Sequence, residues 1–318
     1  MGTDSKIEAE GAVRAPYRPL DAAAAIRLAA VHTWPASLCP AMFGIFWCLQ
    51  RGLPLQPFQC ILLAAACVLS QSAVNTINDY VDFVSGTDSK EDNVEENDAV
   101  LVYCYLNPKH ALLLGIGYLL AAAACGAAAA WHAGPVPYLI GLIGGLTVLG
   151  YSAGPVPVSS LPLGEAVSGF VMGALIPLGT ASVADGRFHP ELIPECLPLI
   201  LGIALIMLSN NGSDIEKDIR AGRTTLPVLL GRPRTIVLYR CMLRAWIALL
   251  CIQPLLCLGR VAFAGIACTV IAGHRPFGFL LQAGLRPSDR IRQMKSVTAA
   301  NFIGNGILAL AYAAAWLL

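Results

Sequence analysis

Two clusters of oxygen-bearing side chains stand out in a chain otherwise poor in them: Asn75, Asn78, Asp79 and Asp82, then Asn210, Asn211, Asp214 and Asp218. Within each cluster the recurring steps are three and four residues. On a helix, such steps bring the polar heads out on one face. Carboxylate and amide oxygens suit Mg²⁺, a hard cation that keeps coordination places for phosphate oxygens. Two such sets facing one another therefore have the chemistry to clamp a diphosphate through bridging metal. One cluster alone reads equally well as a solvated helix end. Two copies, each closing an apolar stretch, argue for a site.

The elements that must carry these clusters follow from composition. Of 318 residues, 56% are hydrophobic and 13% charged, with a mean hydropathy of +0.65. This is the signature of an all-α, polytopic membrane protein. Apolar stretches able to cross a ~30 Å hydrocarbon layer fall at 22–49, 58–84, 110–131, 136–151, 164–183, 193–211, 235–258, 260–281 and 298–318. The expectation is thus nine transmembrane helices in a single domain, residues 22–318, behind a polar tail of residues 1–21 with no cleavable signal peptide. The eighth span reads as interrupted at Gly273, His274, Arg275 and Pro276. The second and sixth spans both end in a cluster, which divides the chain into two pseudo-repeated four-helix halves plus one helix. The cavity is expected between the halves, with the acid-bearing ends facing across its mouth.

Charge supplies an orientation. With the N-terminus inside, Lys109, Lys217, Arg220, Arg223, Arg232, Arg234, Arg286, Arg290, Arg292 and Lys295 all fall on the inner side, whereas Arg51, Arg187 and Arg260 face out. The positive-inside rule then places the protein in the cell (inner) membrane, multi-pass, with both clusters toward the cytoplasm. Membrane lipid is the expected surrounding, and a net charge of +1 offers no basic face for nucleic acid. The eleven cysteines lie mostly inside apolar spans and read as small buried hydrophobes.

Further motifs accompany the clusters. The run Asn78-Asp79-Tyr80-Val81-Asp82-Phe83 precedes Gly86-Thr87-Asp88; Tyr151-Ser152-Ala153-Gly154-Pro155 follows the fourth span; and Asp214-Ile215-Glu216-Lys217-Asp218 leads into Ala221-Gly222-Arg223-Thr224-Thr225-Leu226-Pro227. Together they resemble the UbiA superfamily of intramembrane aromatic prenyltransferases, and within it most nearly the 1,4-dihydroxy-2-naphthoate polyprenyltransferases of menaquinone synthesis. The resemblance implies a Mg²⁺-dependent transfer of a polyprenyl group from polyprenyl diphosphate to an aromatic acceptor, with loss of the naphthoate carboxylate. It implies that Asp79, Asp82 and Asp88 hold one Mg²⁺ and Asp214 and Asp218 the other. Asn75, Asn78, Asn210 and Asn211 would orient phosphate, metal or water, and Lys217 and Arg223 would contact phosphate, Arg220 being a further candidate. Tyr151 is expected at the acceptor, Asp214 as a candidate base, and His32 and Trp34 are placed where the first span meets the cavity or packs.

Two departures from that pattern stand out. The segment after Asp88 is strongly acidic, with Glu91, Asp92, Glu95, Glu96 and Asp98, and Ser213 stands where those relatives commonly carry arginine. Sibling reactions on the same fold remain open, with a 4-hydroxybenzoate, haem, chlorin or lipid acceptor, or a terpene cyclisation. A secondary transporter with an acidic ion site is the alternative of another class. Transporter sites lie near the midplane on broken helices, whereas these acids lie at helix ends.

Overall fold

The computed structural model describes residues 17–87, 96 and 99–318, and among these every regular element is a helix. The principal helices are α1 (Pro35–Gln50), α2 (Pro57–Ser85), α3 (Pro108–Ala129), α4 (Pro135–Ser152), α5 (Gly164–Asp185), α6 (Leu197–Ser213), α7 (Arg232–Cys257), α8 (Val261–Gln282) and α9 (Arg290–Leu317). Proline stands in the first turn of α1, α2, α3, α4, α6 and α7, where no N–H is needed and its fixed φ suits the helix. The Gln56 and Gln59 side chains close a reciprocal cap at the start of α2. Gly86 ends that helix at φ +69°, a left-handed position that a β-carbon disfavours.

Among the described residues, seven helical stretches are long and apolar enough to cross a membrane: α2 to α5, α7, α8 and Pro287–Leu317, which contains α9. The expected first and sixth spans correspond to α1 and α6, of 16 and 17 residues, which fall short of that length. The chain is therefore a multi-pass helical membrane protein, with seven candidate spans by length and composition among the described residues.

Three boundaries differ from the expectation. The apolar run 22–49 is broken, with a short helix Ala22–Leu28, a left-handed Ala30 (φ +47°) and one tight turn before α1. The break falls at Ala30, whose left-handed backbone a right-handed helix cannot contain, and Pro35 then opens α1 at its first position, where its missing N–H costs nothing. The eighth span, in contrast, is not interrupted: α8 runs through Pro276. Phe277 packs over Gly273 and edge-on against Trp246, with ring centroids 5.5 Å apart, and this packing holds the helix together where a backbone hydrogen bond is lost. The last helix begins at Arg290, well before residue 298, and so carries charged residues on its first turns.

Packing brings α2 along α3, α6 against α5, α7 and α9, and α9 against α1 and α8. Gly173 marks the closest approach. A β-carbon there would lie 2.5 Å from the backbone nitrogen of Ile200, so α5 and α6 touch through their main chains at a π-helical turn, Val171–Leu175. Buried amides staple α9 to its neighbours: Asn301 donates to the carbonyl of Gly202 at 2.8 Å, and Trp246 donates to Asn305 at 3.3 Å. Because α9 contacts α1, α6 and α8 alike, the helices form one continuous bundle, and the equivalence of two halves rests on the sequence pattern alone.

At one end of the bundle lie the two clusters. At the other, Glu195 accepts from Arg51 (2.6 Å) and Tyr312 (2.5 Å), and Tyr312 accepts from Gln253 (2.5 Å). The Arg51 guanidinium also covers the Trp47 ring at 4.7 Å.

Candidate functional site

The first cluster occupies the last three turns of α2. Asp79 and Asp82 are buried, and each is held by a different part of the chain. Asp79 accepts from the backbone N–H of Val100 (2.9 Å) and Leu101 (3.4 Å), capping the short helix Val100–Cys104 from outside. Asp82 accepts from Asn78 (2.9 Å) and pairs with Arg223. Ser152, the last residue of α4, donates to Asn78 at 2.7 Å, which fixes that amide. Asn75 also lines the cavity, and its amide is spent on the broken first span, on Ala29 O (3.2 Å) and Thr33 Oγ1 (2.8 Å). Asp88, Asp92 and Asp98 lie outside the described residues.

The second cluster spans the end of α6 and the short helix Ile215–Arg220. Asp214 and Asn210 share one cation: Arg290 donates from Nε to Asp214 and from Nη2 to Asn210, both at 2.7 Å. Asn211 donates to Glu165 at 2.9 Å. Asp218 accepts from Thr225 at 3.0 Å and lies 3.8 Å from Arg223. Burial raises the Asp218 carboxyl to about 6, with Asp214 adding to the rise and Thr225 and Arg223 working against it.

Arg223 joins the two clusters. After Ile215–Arg220 the chain turns back at Gly222, φ +70°, and Thr224 N–H donates to Ser160 O at 2.9 Å. The guanidinium that results lies against Asp82 of the first cluster and Asp218 of the second. Lys217 lines the same cavity, whereas Arg220 is exposed and does not.

The cavity enclosed between α2, α4, α5, α6 and α9 has a volume of about 1220 Å³. Its mouth carries Asn78, Asp79, Asp82, Asp214, Lys217 and Arg223, and its depth is lined by apolar side chains such as Leu119, Leu142, Met172, Ile203 and Phe302. Tyr151 lines it with a buried hydroxyl that has no hydrogen-bond partner. His32 also lines it, while Trp34 packs away with its indole donating to Ser72 at 3.1 Å.

Two residues at this site were not singled out by the sequence. Arg290 sits among inner-side cations in the linear chain, and only the early start of α9 brings it onto Asp214. Glu165 is buried, bonded to Asn211, with its second oxygen unpartnered. An acid inside an apolar span was the available signal for it. Ser213, at the position noted as a departure, holds a buried hydroxyl without a partner, and the cation of this neighbourhood comes from Arg290 instead.

Comparison with known proteins matches residues 11–316 to the UbiA prenyltransferase family. The 1,4-dihydroxy-2-naphthoate octaprenyltransferase of Bacillus subtilis (strain 168) is 32% identical over 213 residues, covering 65% of this chain and 66% of that protein. The UbiA prenyltransferase domain-containing protein 1 of Homo sapiens is 27% identical over 235 residues, 72% of this chain and 68% of that one. The matches thus span about two thirds of the length of these relatives. Among solved structures, the apo UbiA homolog from Aeropyrum pernix K1 superposes with a TM-score of 0.64 at 19% identity, covering 90% of this chain and 97% of that one. A UbiA homolog from Archaeoglobus fulgidus bound to GPP and Mg²⁺ gives 0.59 at 17% identity, covering 93% and 100%. At these identities the superpositions establish a shared fold.

Proposed function

The chain belongs to the UbiA prenyltransferase family, and from that premise we propose that it transfers a polyprenyl group from polyprenyl diphosphate to an aromatic quinone precursor, 1,4-dihydroxy-2-naphthoate, in a Mg²⁺-dependent reaction. The observation that carries this reading is the placement of two acid-bearing helix ends across the polar mouth of one long apolar cavity. A prenyl diphosphate has the same two parts, a charged head and a greasy tail.

The residues fit the metal. The donors at the mouth are carboxylate and amide oxygens, which Mg²⁺ prefers. Mg²⁺ takes one or two carboxylates and completes its shell with substrate phosphate oxygens. Asp79 and Asp82 would hold it on one side and Asp214 and Asp218 on the other. Bound Mg²⁺ supplies Lewis-acid charge that makes diphosphate a competent leaving group.

The chain's own cations do the rest of the neutralisation. Arg223 and Arg290 are each engaged by cluster carboxylates. With substrate in place their guanidinium forks would meet phosphate oxygens, a match to bidentate geometry. Lys217 adds a third cation at the mouth. Asn78 and Asn210, held by Ser152 and Arg290, orient oxygens within the cage. The apolar depth excludes water, which would otherwise quench an allylic cation to an alcohol.

Tyr151, whose hydroxyl has no partner among the described residues, would meet the acceptor's oxygen near the Glu165 and Asn211 pair. Asp214 is the weaker candidate for a base, because its carboxylate is committed to Arg290. Residues 151–162 carry no Lys or Arg. For a naphthoate this neutrality is sensible: the carboxylate leaves as CO₂, and a fixed cation beside it would favour the ground state. The test presents 1,4-dihydroxy-2-naphthoate and 4-hydroxybenzoate at equal concentration with Mg²⁺ and a polyprenyl diphosphate, and reads products by mass. Decarboxylated prenyl-naphthol is the expected product. Prenylated benzoate with its carboxylate retained would overturn the acceptor assignment and leave prenyl transfer standing.

A further inference from the structure

A second groove lies on the outer surface between α8 and α9, near the same end of the bundle as the two clusters. It is about 690 Å³ in volume and is lined by Arg275, Phe279, Ser288, Arg292, Lys295 and Ser296, with apolar residues along its floor. Three cations thus converge, and no carboxylate stands among the residues lining the groove.

The position of Arg275 sharpens the point. It belongs to a helix apolar enough to cross a membrane, seven residues before the end of α8 at Gln282, a depth of ~10 Å at the helical rise per residue. A guanidinium at that level in hydrocarbon carries a heavy desolvation cost unless an anion or water reaches it. Arg292 is already immobilised, its guanidinium stacked over the Phe279 ring at 4.3 Å, so less freedom is lost when it engages a ligand. Pro276, Ile291, Ala299 and Ile303 continue the groove as an apolar trough. Charged head and apolar trough together have the shape of one molecule that the bilayer supplies in excess.

We propose that this groove binds the headgroup of an anionic glycerophospholipid, its phosphate held by Arg275 and Arg292 with Lys295 at the edge and one acyl chain along the trough. Basic pockets between membrane helices recognise lipid phosphates in this way. Lys295 and Ala299 line both this groove and the central cavity, so the bound lipid braces the segment of α9 whose first residue, Arg290, holds Asp214.

The experiment reconstitutes the full chain in nanodiscs of phosphatidylcholine with graded phosphatidylglycerol, and measures retained lipid by native mass spectrometry together with the thermal midpoint. The wild type is expected to retain phosphatidylglycerol over phosphatidylcholine, and Arg275→Gln with Arg292→Gln to lose roughly thirtyfold of that preference, on the scale of two surface cations. Arg275→Lys with Arg292→Lys keeps the charge and should keep most of it. Arg244→Gln, which removes an exposed arginine of α7 outside the groove, should behave as wild type. A wild type with no preference for the anionic lipid would overturn the proposal. So would an equal thermal shift produced by inorganic phosphate or diphosphate in detergent and abolished by the same double variant, which would make the ligand a soluble anion.

Discussion

Asp82 and Asp218 belong to different clusters, yet one guanidinium, that of Arg223, lies against both. Removing either acid leaves a half-buried cation half-compensated and, on the proposed reading, a metal ligand lost, so the conservative Asp82→Asn and Asp218→Asn test the role with the least disturbance of packing. Each is expected to lower turnover by about a hundredfold or more with little change in thermal midpoint; wild-type rates from either variant would sink the cage. Asp218 also predicts a pH dependence. A ligand carboxylate must be ionised to take metal, and burial raises this one to about 6, so apparent Mg²⁺ affinity should climb as pH rises through 6 and then level. The metal-free fold binds that proton more tightly than the unfolded chain, so this group's contribution to stability fades as pH rises from 3.8 to about 6. Titrating Mg²⁺ activation between pH 5 and 8 in wild type and Asp218→Asn checks it; the variant should lose the slope. The eight cluster residues, all of which line the cavity, were legible from their spacing, directly for the four on α2 and across the helix break at Asp214 for the second four. Arg290 and Glu165 were not, because each reaches the site from another helix, and no local pattern in a chain encodes a partner 76 or 46 residues away.

At the scale of elements, the apolar runs located the helices but misjudged two breaks. Pro35 and Pro276 both sit inside apolar runs, and neither ends a helix: Pro35 opens α1, and α8 runs through Pro276. The first follows the break at Ala30, after which the Thr33 hydroxyl accepts from Asn75 of α2 and the Trp34 indole donates to Ser72. The second sits beside Gly273, a position that Phe277 fills from one turn below. Where an apolar run breaks is thus decided by what the residues around the break can pack against, which is tertiary information. The same dependence makes Gly173 a sensitive position. Gly173→Ala would push a methyl group into the backbone of α6 and should cost about 1–3 kcal/mol, read as a fall in thermal midpoint. Gly117→Ala on α3, where a β-carbon meets nothing within 4 Å, should be neutral or slightly stabilising. Equal effects at the two positions would contradict the close crossing of α5 and α6.

Over the whole molecule, composition identified a membrane protein and the family match extends along nearly its full length, while orientation rests on charge asymmetry. That asymmetry predicts that Thr224 faces the cytoplasm and Arg187 the other side. With the native cysteines replaced, Thr224→Cys should resist an impermeant thiol reagent in intact cells and Arg187→Cys should react. The opposite labelling pattern would invert the topology. The division into halves was expected from two clusters at matching positions, and a continuous bundle results because the last helix, whose first turns are charged and whose middle carries Asn301 and Asn305, packs on partners from both.

The polar ties at the two ends of the bundle differ in what could replace them. Away from the clusters, Arg51, Glu195, Tyr312 and Gln253 bond one another across α1, α7, α9 and the turn before α6, and spreading the helices there would strand buried polar groups with nothing to take their place. At the mouth, the ties include arginine-to-carboxylate pairs, and on the proposed reading both members of each such pair have a substitute partner in a diphosphate and its metal. On that reading the bundle resembles a clothes-peg: held at the end whose contacts have no replacement, and exchangeable at the mouth, where the cargo can stand in for the arginine–carboxylate pairs.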